Sequence, residues 1–225
     1  MRVFKFLSRA VHEEQEESEH VDGERNKYLI TEASLCTSLT VWRKSLLLSC
    51  KGFTVIDSYG NLVYRVDNYI LHPHQLILMD ASGKCVLTVR RQRRFGLVDS
   101  WFVYKGEMGD QRTRSKFGES SESPFCCVRK RVNILNGNPK VQACVYRVAS
   151  DSDKRHTVFT VEGSYAHRTC KVLDECKRAV AEIKRKEANS KDVSFGIEIF
   201  QLIVHPGFDP GFAMALVLLL DQMFS

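Results

Sequence analysis

Phe212 to Leu220, FAMALVLLL, are nine apolar residues in succession, and Met223 and Phe224 follow Asp221. Asp209-Pro210 ahead of the run supplies a helix start. Asp is a good N-cap, and proline is tolerated in the first turn, where its missing N–H costs no helical bond. A helix that is apolar on every side has to be surrounded by protein core or by lipid. From Phe212 to Phe224 it would extend about 20 Å, at 1.5 Å per residue, whereas a bilayer core is ~30 Å thick and takes ~20 residues to cross. The run is therefore predicted as a core helix, with a membrane tail anchor as the lesser reading. The remaining chain has to supply an apolar sleeve around it.

That chain reads as strands. From Tyr28 onward, short apolar runs rich in Val, Ile, Leu, Phe and Tyr alternate with turn residues: Ser45 to Ser49, Phe53 to Ile56, Leu62 to Val66, Gln75 to Met79, Cys85 to Val89, Ser100 to Tyr104, Val141 to Val148, Thr157 to Val161 and Glu198 to Val204. Runs of this length fit strands better than helices of ten or more residues. The polar segments 109–123 and 150–156 are predicted as loops. Ser115, Ser120, Ser121 and Ser123 in the first are candidate phosphorylation sites.

An internal repeat sharpens the pattern. IDSYGNLVYRV (Ile56 to Val66) and MDASGKCVLTV (Met79 to Val89) share one spacing, with Asp at the first turn position and Gly at the fourth. The Asp side chain can bond back to the chain and Gly accepts positive φ, so each unit is predicted as a β-hairpin whose outgoing strand starts two residues after the glycine. DECKRAVAEIKRKEA (Asp174 to Ala188) has strong helix propensity in isolation. Its Asp174, Lys177, Val180 and Ile183 repeat the hairpin spacing, however, with Lys177 in the glycine's place. Strand, turn, strand is predicted there. The fold class is mainly β, strands around a buried helix, in one domain over residues 28–225 behind an acidic, mobile leader at 1–27.

Charge is unevenly placed along a chain of net charge +6. His12 to Glu24 holds seven acids and no Lys or Arg, whereas Lys84 to Arg131 holds twelve Lys or Arg against five Asp or Glu. The acidic stretch reads as solvated leader and the basic stretch as a surface that attracts anions, whether lipid head groups or nucleic acid. The leader has no apolar core long enough for a signal peptide, which predicts a cytoplasmic or nuclear protein, peripheral to the plasma membrane if it meets lipid. The eight cysteines are then expected as reduced thiols. They contain no C-x-x-C pair, and neither the vicinal Cys126-Cys127 nor His72-Pro73-His74 has further ligands at metal spacing.

VWRKSLLLSCKGFTVIDSYGNLVYRVDNY, LILMDASGKCVLTVRRQRRFGLVDSWFVYKGE and HPGFDPGFAMALVLLLDQMF occur in this order. In these segments, over roughly Leu39 to Phe224, the chain resembles the LURP-one-related proteins of plants. The resemblance implies the tubby-like fold, a closed antiparallel barrel of about twelve strands threaded by a hydrophobic C-terminal helix, with closure removing the sheet edges. Relatives of the fold include phosphoinositide-binding tubby domains and phospholipid scramblases, and some members of the family are linked to plant defence.

The sharpest candidate site is Arg90-Arg91-Gln92-Arg93-Arg94, joined by Arg112 and Arg114 and flanked by Lys116 and Arg129-Lys130-Arg131. Arg forks suit phosphate, and each cation near an anionic membrane contributes ~1 kcal/mol. Continuing the inward phase of Leu87 and Val89 would bury Arg91 and Arg93, so the strand is predicted to end or bulge there. Nucleic acid is the less favoured anion, because no RNP, zinc-finger or helix-turn-helix pattern accompanies the charge. No nucleophile elbow, phosphate loop or dinucleotide fingerprint occurs. His167 and Cys170 could pair as base and nucleophile, but no orienting group accompanies them, and structural strand positions are the reading for both. No cofactor, metal or transmembrane segment is expected. The sequence points to a non-enzymatic module whose ligand it leaves open: a solvated basic face is the plainer reading of the arginines, a peripheral phosphoinositide or other anionic-lipid contact the sharper one, and the resemblance adds defence-type signalling. Its alternative is a soluble module contacting unknown protein partners through loops and leader.

Overall fold

The computed structural model describes residues 36–47, 50–68, 74–92, 99–107, 123–131, 141–148, 156–187 and 195–224. They contain twelve strands and one helix: β1 (Thr37–Trp42), β2 (Lys51–Ile56), β3 (Leu62–Asn68), β4 (Gln75–Asp80), β5 (Cys85–Gln92), β6 (Ser100–Lys105), β7 (Cys126–Lys130), β8 (Val141–Arg147), β9 (Thr157–Ser164), β10 (Thr169–Leu173), β11 (Ala179–Arg185), β12 (Ile199–Val204) and α1 (Pro210–Phe224). Every strand pairs antiparallel with its sequence neighbour, and β1 pairs with β12, from Thr37 opposite Val204 to Trp42 opposite Ile199. The sheet is thus a closed barrel, and α1 fills it.

Alternation decides which side chains enter. Along β12, Phe200, Leu202 and Val204 are buried against half-buried Ile199, Gln201 and Ile203. Leu39 and Val41 of β1, Ala181 and Ile183 of β11, and Val89 and Val103 of β5 and β6 repeat the pattern. The helix meets them on all sides, with Gly211 through Asp221 and Met223 buried. Each buried Leu or Val there contributes about 1.5–3 kcal/mol over its exposed state. Asp209 caps the helix as predicted: its Oδ1 accepts the Phe212 N–H at 2.6 Å and its carbonyl accepts the Ala213 N–H at 2.9 Å.

Three hairpin turns follow one rule. Asp57, Asp80 and Asp174 each accept the N–H of the residue four positions on, at 2.8, 3.0 and 2.9 Å, and their carbonyls accept the N–H of Gly60, Gly83 and Lys177. The two glycines sit at φ 83° and 90°, and Lys177 adopts φ 62° in the same place. The outgoing strands begin at Leu62, Cys85 and Ala179. Asp174 to Ala188, helical by propensity, is therefore a hairpin over its described part, because the turn and the inward phase of Ala181 and Ile183 override propensity.

One local expectation fails. Ser45 to Ser49 is no strand where it is described, through Leu47. The Ser45 hydroxyl donates to Asp67 on β3 and accepts the Leu47 N–H at 3.0 Å, which turns the chain across the outside of β2 and β3. The strand in this region is β1, which the apolar-run reading had passed over. Of the two alternatives at the arginines of β5, a bulge is not found, since pairing with β6 runs unshifted from Leu87 opposite Lys105 to Gln92 opposite Ser100; the strand as described ends at Gln92, and Arg93 lies beyond the described residues. The predicted leader 1–27 and most of the two predicted loops lie outside the described residues.

Candidate functional site

The barrel has two different mouths. One carries the three Asp turns and the start of α1. At the other, β1, β3, β5, β7, β9 and β11 end and α1 terminates. There Arg43, just past β1, bonds Asp221 near the end of α1 at 2.8 Å and lies 3.5 Å from Glu198. The Tyr165 hydroxyl, from the β9–β10 turn, donates to the same carboxylate at 3.1 Å. Burial pulls the Arg43 guanidinium down, and Asp221, with Glu198 and Tyr165, more than reverses this, so Arg43 is held above its ordinary value. Burial, and then Asp221, push the Tyr165 hydroxyl well up, keeping it a donor. Lys130, at the end of β7, donates to the Met223 carbonyl at 3.0 Å and lies 4.3 Å above the Phe224 ring. A strand lysine thus caps a helix whose own last turn has no cation.

Between β2 and the end of the helix lies a cavity of about 600 Å³, with Arg43, Lys44, Lys51, Gly52, Phe53 and Asp221 among its walls. Lys51 is exposed and has no ion-pair partner among the described residues, and Lys44 Nζ lies 5.3 Å from the Trp42 ring. Gly52 draws β2 against β3 at this wall, where a Cβ would fall 1.9 Å from the Val66 carbonyl oxygen. Leu46 and Leu47, in the turn between Lys44 and Lys51, are each 37% exposed. Two exposed leucines thus follow, in sequence, two of the cations that line this cavity. A second hollow of about 370 Å³ lies along β8 and β9 and is lined by both signs of charge, Arg131 and Lys177 with Asp174 and Glu175.

The sequence-predicted residues fall as follows. Arg90 and Arg91 close β5 at the mouth where α1 ends. Arg90 Nε donates to Gln75 Oε1 at 3.0 Å. Arg91 continues the inward phase, half-buried, with its guanidinium 5.6 Å from the Trp101 ring and paired to Asp99. Asp99 balances its charge. Arg93 and Arg94 lie outside the described residues, as do Arg112 and Arg114. The β6–β7 connection that carries the last two leaves from Lys105, at the opposite mouth from the end of β5. Arg43, Lys44 and Lys51 were missed as site residues. The signal lay in WRKSLLLSCK, a leucine triplet flanked by cations.

The other sequence candidate separates. His167 Nδ1 lies 2.8 Å from Ser164 Oγ, while Cys170 donates to Gln142 Oε1 at 3.7 Å. Burial pushes the Cys170 thiol up to about 12, which suits a core position.

A closed twelve-stranded up-and-down barrel threaded by a C-terminal apolar helix is the architecture of the tubby-like fold. The particular family follows from the sequence matches. The LURP-one-related family model matches residues 37–221, and the chain belongs to that family. It is 48% identical to Protein LURP-one-related 17 of Arabidopsis thaliana over 194 residues, 84% of each chain. It is 44% identical to Protein LURP-one-related 8 of the same plant, over 86% of this chain and 92% of that one. The X-ray structure of another Arabidopsis thaliana protein is similar at a TM-score of 0.56 and 23% identity, over 83% of this chain and 90% of that one, and supports the fold alone. No helix among the described residues is long and apolar enough to cross a membrane.

Proposed function

We propose that the protein is a non-enzymatic module that docks peripherally on anionic phospholipid through the mouth where α1 ends. The observation that carries this reading is the cavity of about 600 Å³ walled by Arg43, Lys44 and Lys51 beside the exposed Leu46 and Leu47. The leucines enter the interfacial layer while the lysines meet phosphate, and Arg90 at the end of β5 adds charge at the same mouth. Each phosphate-facing cation contributes about 1 kcal/mol and is screened by salt. Such docking places the protein on the cytoplasmic leaflet, in the defence-type signalling that the family resemblance suggests.

Flotation with vesicles of neutral lipid, and of neutral lipid plus phosphoinositide, tests this at low and moderate salt. Salt-sensitive flotation with the anionic vesicles is expected. The membrane partition constant should fall about thirtyfold on Lys44→Gln with Lys51→Gln, each lost cation counting for about 1 kcal/mol. It should also fall on Leu46→Ser with Leu47→Ser. Absence of flotation at low salt with a folded protein would overturn the reading and turn attention to protein partners.

A further inference from the structure

His167 and Cys170 stand apart, yet the barrel builds a different pair of cysteine and base across its closing seam. Cys36 stands immediately before β1 and His205 immediately after β12, two strands whose pairing seals the barrel. Cys36 Sγ lies 3.9 Å from His205 Nδ1, and His205 Nε2 lies 3.2 Å from Glu182 Oε1 on β11. The His205 backbone N–H donates to the Val180 carbonyl at 3.0 Å, which fixes the residue bearing the ring. Thiol, imidazole and carboxylate therefore form a line, in the order that a nucleophilic thiol uses: acid to be deprotonated, base, and a group that orients the base.

The charged surroundings are defined from each neighbouring element. Glu182 Oε2 faces Lys184 Nζ at 3.3 Å on its own strand and Lys171 Nζ at 3.7 Å on β10. From β12 the ring of His205 itself is the titratable group. The carboxyl of Glu182 is half-buried, which by itself raises it, yet His205, Lys184 and Lys171 together hold it below its ordinary range. The hub is therefore ionised at neutral pH, and its Oε1 stands where it can orient the His205 ring. Cys36 is half-buried, within reach of a small reagent. Among the described residues no set of three or more His, Cys, Asp or Glu side chains is arranged to hold a metal ion, so zinc does not explain the trio.

We infer that Cys36 is a reactive thiol, activated by His205 as base with Glu182 as its positioning residue, and that it is a site of reversible modification by low-molecular-weight disulfides. In the exchange, His205 accepts the Cys36 proton and the thiolate attacks one sulfur of the disulfide. The new Cys36 Sγ–S bond forms as the disulfide S–S bond breaks. The departing thiolate takes the proton from His205 and leaves as a thiol. Cys36 is thereby oxidised to the mixed disulfide and half of the reagent is reduced. The site lies at the mouth opposite the cavity of the proposed lipid contact, on the outer face of the barrel, so it stands or falls separately from that contact.

Exposed Cys176, in the β10–β11 turn, is the internal control. The full-length protein is treated with dithiodipyridine, thiopyridone release is followed, and the modified cysteines are mapped by mass spectrometry. Cys36 is expected to react about tenfold faster than Cys176 or more. His205→Gln should bring Cys36 to the Cys176 rate. Free imidazole should restore the rate in His205→Gly but leave Cys176 unaffected. Glu182→Gln should slow Cys36, with partial recovery in Glu182→Asp. Equal rates for Cys36 and Cys176 in the unmodified protein would overturn the inference, whether or not the variants fold. So would a Cys36 rate unchanged by His205→Gln in a protein whose circular dichroism matches the parent.

Discussion

Lys177 shows how one residue can be tolerated in a place that belongs to another. The fourth position of each Asp turn lies in the left-handed region, and glycine fills it twice, at Gly60 and Gly83. An L-residue there costs about 1–2 kcal/mol, because its Cβ crowds the following carbonyl. Lys177 holds the same geometry at φ 62°, with its Nζ 3.7 Å from Glu162, an exposed ion pair of small value. Lys177→Gly should therefore stabilise the protein by about 0.5–1 kcal/mol, the relief of strain exceeding the added freedom of the unfolded chain. Urea denaturation reads this as a higher midpoint with an unchanged slope. The reverse change, Gly83→Lys, should lower the midpoint by a similar amount or more, since a Cβ at Gly83 would stand 3.0 Å from the Arg65 guanidinium.

The helix is the element that the sequence announced most clearly, yet what holds its far end was not legible. Nine apolar residues and an Asp-Pro start located α1, because hydrophobicity on every side and capping are local properties. The hairpins at Asp57, Asp80 and Asp174 were legible for the same reason, and the repeat outweighed helix propensity at Ala179 to Arg185. Contacts between residues far apart in the chain left no such trace. Arg43 meets Asp221 because α1 threads the barrel to its far mouth, and Cys36 meets His205 because β1 closes on β12; neither pair has a spacing that a sequence could display. Ser45 to Ser49 misled because its leucines have the composition of a strand, while its described part, Ser45 to Leu47, is held by the Ser45 hydroxyl in a turn. At the end of α1, Asp221 ties the helix to both Arg43 and the buried hydroxyl of Tyr165. Asp221→Ala leaves that hydroxyl without this acceptor, at an expected loss of about 1–3 kcal/mol. A thermal or urea unfolding comparison checks it. The double change with Tyr165→Phe should cost less than the sum of the two single changes, since the orphaned hydroxyl is then gone.

Across the whole molecule, carboxylates and cations are placed so that the fold and the helix support one another. Asp209 caps the positive end of α1 and Lys130 its negative end, both in the sense that the helix dipole favours. At the hairpin mouth, the Ser82 hydroxyl, followed by the backbone N–H groups of the turn, holds the Asp80 carboxyl below the ordinary range. Hydrogen bonding from Arg178, backbone first, does the same for Asp174. At Glu182 the bonds and charges of His205, Lys184 and Lys171 outweigh burial, with the same net direction. All three are depressed in the folded state, so the unfolded chain binds protons first, at about pH 3.9 for Asp and 4.3 for Glu. Their stabilisation is complete above those values and is lost as pH falls through the lower folded ones. Urea midpoints should thus be level from neutral pH to about 5 and decline below about 4. Some acid sensitivity is common to folded proteins, so the diagnostic is the slope. Asp80→Asn with Asp174→Asn keeps the turn acceptors but removes two of the protons taken up, and should give a shallower decline between about pH 4 and 2.5. An unchanged slope in that variant would mean that the turns hold their aspartates no more tightly than the unfolded chain does.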